Sequence, residues 1–255
     1  MRKLGLKVWS VNMDYFEDAV RLYEEGKCDY IEVYVIPDSY SYANKWKEIK
    51  APYVIHAPHY KDGVNLALKE KREYNKKIAE ESKRFADVLG SDKIIFHPGA
   101  HGNLEEIIKQ LKSVNDGRAL IENKPYLGIG GKILFHGAAY EDIEAIMKGS
   151  EAGFCLDFGH AVCAANNFKI EPMEFLIKMN KLSPSMYHLT DGDYKGVIDR
   201  HDNYGSGTFP LKEMLKIIPD GAIVTNEASK KYKDSLSDFI ADAENFRNIE
   251  RQIIV

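Results

Sequence analysis

The sequence predicts an α/β protein folded as a (β/α)8 TIM barrel. Three observations lead there. Eight short apolar runs, rich in β-branched and aromatic residues, recur along the chain. Helical patterns with an apolar stripe lie between many of them. The chain has 255 residues, and barrels of this kind typically use roughly 250. Most of the runs are continuously apolar, as expected of parallel strands covered on both faces. A doubly wound open sheet is the competing arrangement. No Pro/Gly/Ser-rich linker or charge run divides residues 1–255, so one domain is expected.

The first run, Leu4–Val8, leads into a helical pattern over Phe16–Glu25. The second run is Tyr30–Val35 and the third Pro52–His56. The longest helical pattern, Leu66–Leu89, sets Tyr74, Ile78, Phe85 and Leu89 on one stripe, with Gly90 as its stop. The fourth run, Lys93–His97, precedes a helix at Leu104–Val114, and the fifth, Ala119–Glu122, precedes one at Tyr140–Met147. The sixth, seventh and eighth runs are Gly153–Asp157, Ser185–His188 and Ala222–Glu227. Leu236, Phe239, Ile240 and Phe246 mark a last amphipathic helix.

Composition narrows the function. With 44% hydrophobic and 29% charged residues, the chain reads as an ordinary globular protein. A net charge of -4 provides no global electrostatic footprint for nucleic acid, although a local basic groove remains compatible with it. Cys28, Cys155 and Cys163 are too few and too scattered for a disulfide framework or a zinc ribbon, and fit a reducing compartment. No signal-like segment opens the sequence and no apolar stretch nears the roughly 20 residues of a membrane span, so the expected location is the cytoplasm.

The polar residues at the ends of the runs carry the chemistry. Six of the eight runs end in a potential metal ligand: His56, His97, Glu122, Asp157, His188 and Glu227. In a barrel these ends converge on the face where active sites lie. One such residue alone reads as a satisfied histidine or a helix N-cap; six at equivalent positions do not, because clustered buried charges need partners or a cation. Beyond the strands, His160 follows Asp157 in an Asp-x-x-His pair, and Asp199 and His201 form an Asp-x-His pair. The total is nine residues: five His, two Asp and two Glu. Imidazole and carboxylate without thiolate suit Zn2+, with Mn2+ or Fe less favoured. Nine exceeds the three or four ligands of one catalytic zinc and would serve three metals if one carboxylate bridges. Cys155 either faces away from Asp157 or lies one layer deeper, and Cys163 reads as a small core residue.

Several motifs occur in a fixed order: His56-Ala57-Pro58 with Asn65-Leu66-Ala67, His97-Pro98-Gly99, Glu122-Asn123, Asp157-Phe158-Gly159-His160, His188-Leu189-Thr190-Asp191, Asp199-Arg200-His201 with Gly205 and Gly207, and Asn226-Glu227. Together they resemble the endonuclease IV family of abasic-site endonucleases, within the xylose-isomerase-like barrels. The resemblance covers His56 to Glu227. It implies a trinuclear zinc centre that hydrolyses a DNA phosphodiester 5′ to abasic sites. His56 and His97 would hold one zinc, with Glu122 bridging to a second that Asp157, His188 and Glu227 complete; His160, Asp199 and His201 would hold the third. Glu122 is the catalytic candidate, fixing the separation of the two ions it joins, and Asn123 and Asp191 would orient ligand side chains.

Elsewhere the sequence departs from the family. The segment His59-Tyr60-Lys61-Asp62-Gly63 is longer than the family's compact turn, and the loop Ile36–Tyr42 has neither Arg nor Gln. Phe158-Gly159 stands where the family usually has a Thr-Cys pair. His101 reads as a solvated loop residue and His136 as structural. A single-metal sugar isomerase or epimerase is the main alternative, using only Glu122, Asp157, His188 and Glu227. A non-catalytic protein with a structural metal is another. Gly128-Ile129-Gly130-Gly131 lacks the strand-to-helix context of a phosphate-binding loop and reads as a flexible loop that could contact substrate.

Overall fold

The structure is a computed structural model that describes residues 1–128 and 130–254. Of the glycine-rich stretch at 128–131, Ile129 therefore lies outside the described residues. The eight runs form β1 (Lys3–Trp9), β2 (Tyr30–Tyr34), β3 (Tyr53–His56), β4 (Ile94–Phe96), β5 (Ala119–Glu122), β6 (Gly153–Asp157), β7 (Met186–Leu189) and β8 (Ile223–Asn226). They close in sequence order into an all-parallel barrel, with β8 pairing back onto β1. The open sheet is thereby excluded.

The helices are α1 (Phe16–Glu24), α2 (Ala43–Trp46), α3 (Arg72–Leu89), α4 (Leu104–Val114), α5 (Tyr140–Ser150), α6 (Phe158–Phe168), α7 (Pro172–Asn180), α8 (Leu211–Ile217) and α9 (Ser237–Ile254). They supply the outer ring that covers the strands, so the main core lies between barrel and helices. Two details of the α3 reading change. The helix starts at Arg72, because Asn65 Oδ1 accepts the Ala67 and Ala100 amides and holds the preceding segment in a turn. Tyr74 lies at the solvent edge, 36% exposed, whereas Ile78, Phe85 and Leu89 are buried as expected.

Inside the barrel, Tyr30, Val54, Ile95, Leu120, Cys155 and Met186 form a separate apolar plug. Residues two apart on a strand share a face. Cys155 therefore sits one layer beneath Asp157, on the same inward face, and the alternative that it faces away is wrong. The next layer up carries the polar strand ends, so the plug forms the floor of the candidate site. Gly5 makes room in this interior: a Cβ there would lie 2.2 Å from Tyr30 Cζ.

Candidate metal centre

All nine predicted residues converge at the C-terminal ends of the strands. His56, Glu122, Asp157 and His188 lie within β3, β5, β6 and β7, while His97 and Glu227 sit one residue beyond β4 and β8. Register sets Asp157 level with His188 and Glu122 level with Cys155. Donor atoms of the nine gather in three groups, each with its members within 4.8 Å of one another: His56, His97 and Glu122; Glu122, Asp157, His188 and Glu227; and His160, Asp199 and His201. Two further groups meet the same limit and include residues outside the nine: Glu122 with Cys155 and His188, and Glu32 with His56 and Glu227.

Glu122 is fully buried and belongs to the first two groups. Its Oε2 lies 3.2 Å from His56 Nε2, 3.1 Å from His97 Nε2 and 3.3 Å from His188 Nδ1. Burial would raise its carboxyl, but the charges of His97, His188 and Lys124 hold it well below the usual range.

Asp157 fills both roles open to an acid before a helix. Its Oδ1 accepts the His160 amide at 2.7 Å and caps α6. Its Oδ2 faces the cluster, 4.0 Å from His188 Nδ1. Burial first, then the neighbouring carboxylates of Glu227, Glu122 and Asp199, push this group up to about 6 against the pull of His160.

The backbone fixes the imidazoles. A carbonyl can only accept, so a ring nitrogen bonded to one must carry the proton and the other is free as a ligand. His56 Nδ1 donates to Ala57 O at 2.9 Å, His160 Nδ1 to Asn123 O at 2.9 Å, and His201 Nδ1 to Glu227 O at 3.0 Å. Each leaves Nε2 facing the cluster; that of His201 lies 2.5 Å from Asp199 Oδ2. Burial opposes charge on both His160 and His201. Asp157 leads the groups that nevertheless raise His160 to about 10, and Asp199 those that raise His201 to about 9.

The donor set fits divalent cations. Glu122 Oε1 and His188 Nδ1 are buried without a hydrogen-bond partner. Four carboxylates crowd one bowl, and Asp157, His160 and His201 are all raised in basicity, as expected where negative charge is in excess. An ion with N/O ligand preference would replace the protons they hold.

Asn123 and Asp191 have distinct tasks. Asn123 exchanges hydrogen bonds with the backbone of Asp157, whereas the Asp191 carboxylate makes no hydrogen bond to a candidate ligand side chain among the described residues. Asp191 instead accepts four loop amides, from Gly192, Gly205, Gly207 and Phe209, which shapes the loop carrying Asp199 and His201.

Four residues near the cluster had no role assigned from sequence. Glu32, in mid-β2 and fully buried, accepts from His188 Nε2 at 2.9 Å. Lys7 of β1 pairs with Glu227 and lies 3.1 Å from Glu32 Oε1. Burial would raise Glu32, but the charges of His188 and Lys7 bring it down to about 2. Lys124 Nζ lies 3.1 Å from His160 Nε2 and 3.7 Å from Glu122 Oε1. His59 stacks on His97 with ring centroids 4.7 Å apart. The visible signal for the first pair was an acid in one apolar run opposite a lysine in the next, since Lys7 and Glu32 are register partners. His101 is exposed, in line with its reading as a loop residue, and its carbonyl receives a hydrogen bond from His136 Nε2.

A cavity of about 420 Å3 opens beside His97, His160, Asp199 and His201. Tyr60, Leu127, Ile133, Phe135 and Ile198 provide apolar wall, and Lys61 and Lys124 provide positive charge. The segment after β5 reaches this cavity as a small hairpin in which Leu127 bridges Leu134.

The sequence profile described as xylose isomerase-like TIM barrel matches residues 10–237. A protein named "Probable endonuclease 4" from Aquifex aeolicus is 28% identical over 205 residues, covering 71% of this chain and 70% of its own length. Among solved structures, a D-tagatose 3-epimerase-like protein superposes with a TM-score of 0.73 at 20% identity, covering 98% of both chains. Endonuclease IV from Thermus thermophilus superposes with a TM-score of 0.72 at 18% identity, covering 98% of this chain and 99% of its own. At such identities the two structures share the fold with this chain.

Proposed function

The chain belongs to the xylose isomerase-like TIM barrel family, and within it we propose a zinc-dependent phosphodiester hydrolase that cleaves DNA 5′ to abasic sites. Mn2+ is the alternative metal for the same donors. The observation that carries this reading is the convergence of nine imidazoles and carboxylates into three groups, two of them sharing Glu122. The similarity to the Aquifex protein named as an endonuclease supports the substrate class.

Divalent ions held by these groups would lower the pKa of a water and offset charge on a phosphate in an in-line displacement. The chain's own residues account for the rest. Glu122 is the bridging and catalytic candidate, because its carboxylate faces both of the first two groups. Asn123 and the α6 cap hold Asp157, so its free oxygen stays aimed inward. Lys124, on the cavity wall, can donate to a phosphate oxygen. Asp191 holds the loop that presents Asp199 and His201.

A second reading rests on the quartet Glu122, Asp157, His188 and Glu227, which by itself suits a single-metal sugar isomerase or epimerase. Such an enzyme has no need of the other five residues. Metal counting and turnover separate the two. The proposal expects about three zinc equivalents per chain and chelator-sensitive hydrolysis of bis(p-nitrophenyl) phosphate. One equivalent, with epimerisation of a ketohexose and no phosphodiester turnover, would overturn it.

A further inference from the structure

His56, His160 and His201 each give a ring N–H to a neutral backbone carbonyl. His188 gives its Nε2–H to a carboxylate, Glu32 Oε2, at 2.9 Å. That difference has consequences if the cluster binds metal as proposed above. We infer that Glu32 is a positioning residue for His188, and that it makes the second group of donors bind metal selectively more tightly.

The geometry of the barrel floor supports this. Glu32 Oε2 also accepts the Thr225 hydroxyl at 2.7 Å. That hydroxyl has one proton, so it must accept in turn from Tyr30 OH, also 2.7 Å away. A directed chain from Tyr30 through Thr225 thus ends on the oxygen that holds His188. Gly5 leaves the space that Tyr30 fills. Glu32 Oε1 faces Lys7 at 3.1 Å, and the same ammonium pairs with Glu227. Lys7 therefore offsets the extra buried carboxylate and restrains a second member of the same group.

A carboxylate behind an imidazole fixes its tautomer and makes its other nitrogen a stronger donor. With Nε2 committed to Glu32, His188 Nδ1 points at Glu227 Oε1, 3.0 Å away, and Glu122 Oε2, 3.3 Å away. Glu32 also comes within 4.8 Å of His56, but among the described hydrogen bonds and ion pairs His188 alone of the candidate ligand histidines has a carboxylate outside the nine donors as partner. The effect should therefore be confined to one metal equivalent.

Competition of zinc against a chromophoric chelator, with the full chain, tests this. In Glu32→Ala, one equivalent should weaken on the order of 10- to 100-fold while the others keep the parent's affinity. Glu32→Gln retains an acceptor without the charge and should show a smaller loss on the same equivalent. Melting of the metal-free variants reports on folding, and Glu32→Gln decides if Glu32→Ala does not fold. Parent-like binding of every equivalent in a folded variant would overturn the inference. Equal weakening of all equivalents would overturn it too, because Glu32 would then only support the barrel. A parent chain that binds no zinc would instead overturn the metal reading on which the inference rests.

Discussion

Asn123 holds Asp157 by both backbone groups. Its Nδ2 donates to Asp157 O at 2.9 Å, and its Oδ1 accepts the Asp157 amide at 2.7 Å. Both residues are buried, so β5 and β6 are locked together at the depth of the donor cluster. Asn123→Ala removes two hydrogen bonds and leaves the buried Asp157 amide without its side-chain acceptor. Each unsatisfied group costs about 1–3 kcal/mol. Denaturant unfolding of the metal-free variant should show a loss of at least that size, with weaker zinc binding. Unchanged stability would mean that water replaces the amide.

Glu122→Gln should lower the metal content and abolish phosphodiester turnover, because the neutral amide cannot serve two cation positions. Elemental analysis beside a turnover assay checks this. Full metal content with full activity would remove Glu122 from the bridging role.

The raised histidines predict how the metal-free protein responds to pH. His160 stands at about 10 and His201 at about 9, above the value of about 6.5 expected in the unfolded chain. The folded state therefore holds extra protons between those limits. The stabilisation is complete below about pH 6.5 and is lost as pH rises through 9 to 10. In chelator, Tm should fall from pH 7 to pH 10, and His201→Gln should flatten the profile. With zinc the slope should lessen or reverse, because imidazole binds metal in its neutral form. Identical chelator profiles for parent and variant would contradict the assignment.

Gly207 lies where the loop after β7 folds onto Asp191. A Cβ there would come within 2.3 Å of Gly192 O and 2.4 Å of Asp191 Oδ1. The carbonyl cannot swing aside as a long side chain could. Gly207→Ala should displace the segment bearing Asp199 and His201, weaken the zinc equivalent of that group and leave the other two intact. A zinc titration indistinguishable from the parent's would show that the loop absorbs the methyl.

The barrel was legible because its signal is repetitive: eight apolar runs, six of them with polar ends, each near the observed strand. Six of the candidate ligands were legible for the same reason, since a strand end fixes height in the barrel, whereas His160, Asp199 and His201 were legible only as short-spaced Asp/His pairs beyond the strands. Glu32 was not, because it lies within a strand, where an acid in an apolar run looks like an interruption. Its meaning depends on Lys7, His188 and Thr225, which only barrel closure brings together. The His59–His97 stack depends on the turn after β3, whose path no periodic pattern specifies. Tyr74 was misplaced because it lies at the edge of the buried stripe of α3, where its hydroxyl reaches Asp62 O.

The most direct measurement is incision of a duplex oligonucleotide that carries a single abasic-site analogue, comparing zinc-loaded protein with chelator-treated protein. The account predicts zinc-dependent cleavage on the 5′ side of the lesion and none in the chelated sample. Intact oligonucleotide in the presence of fully zinc-loaded protein would contradict it.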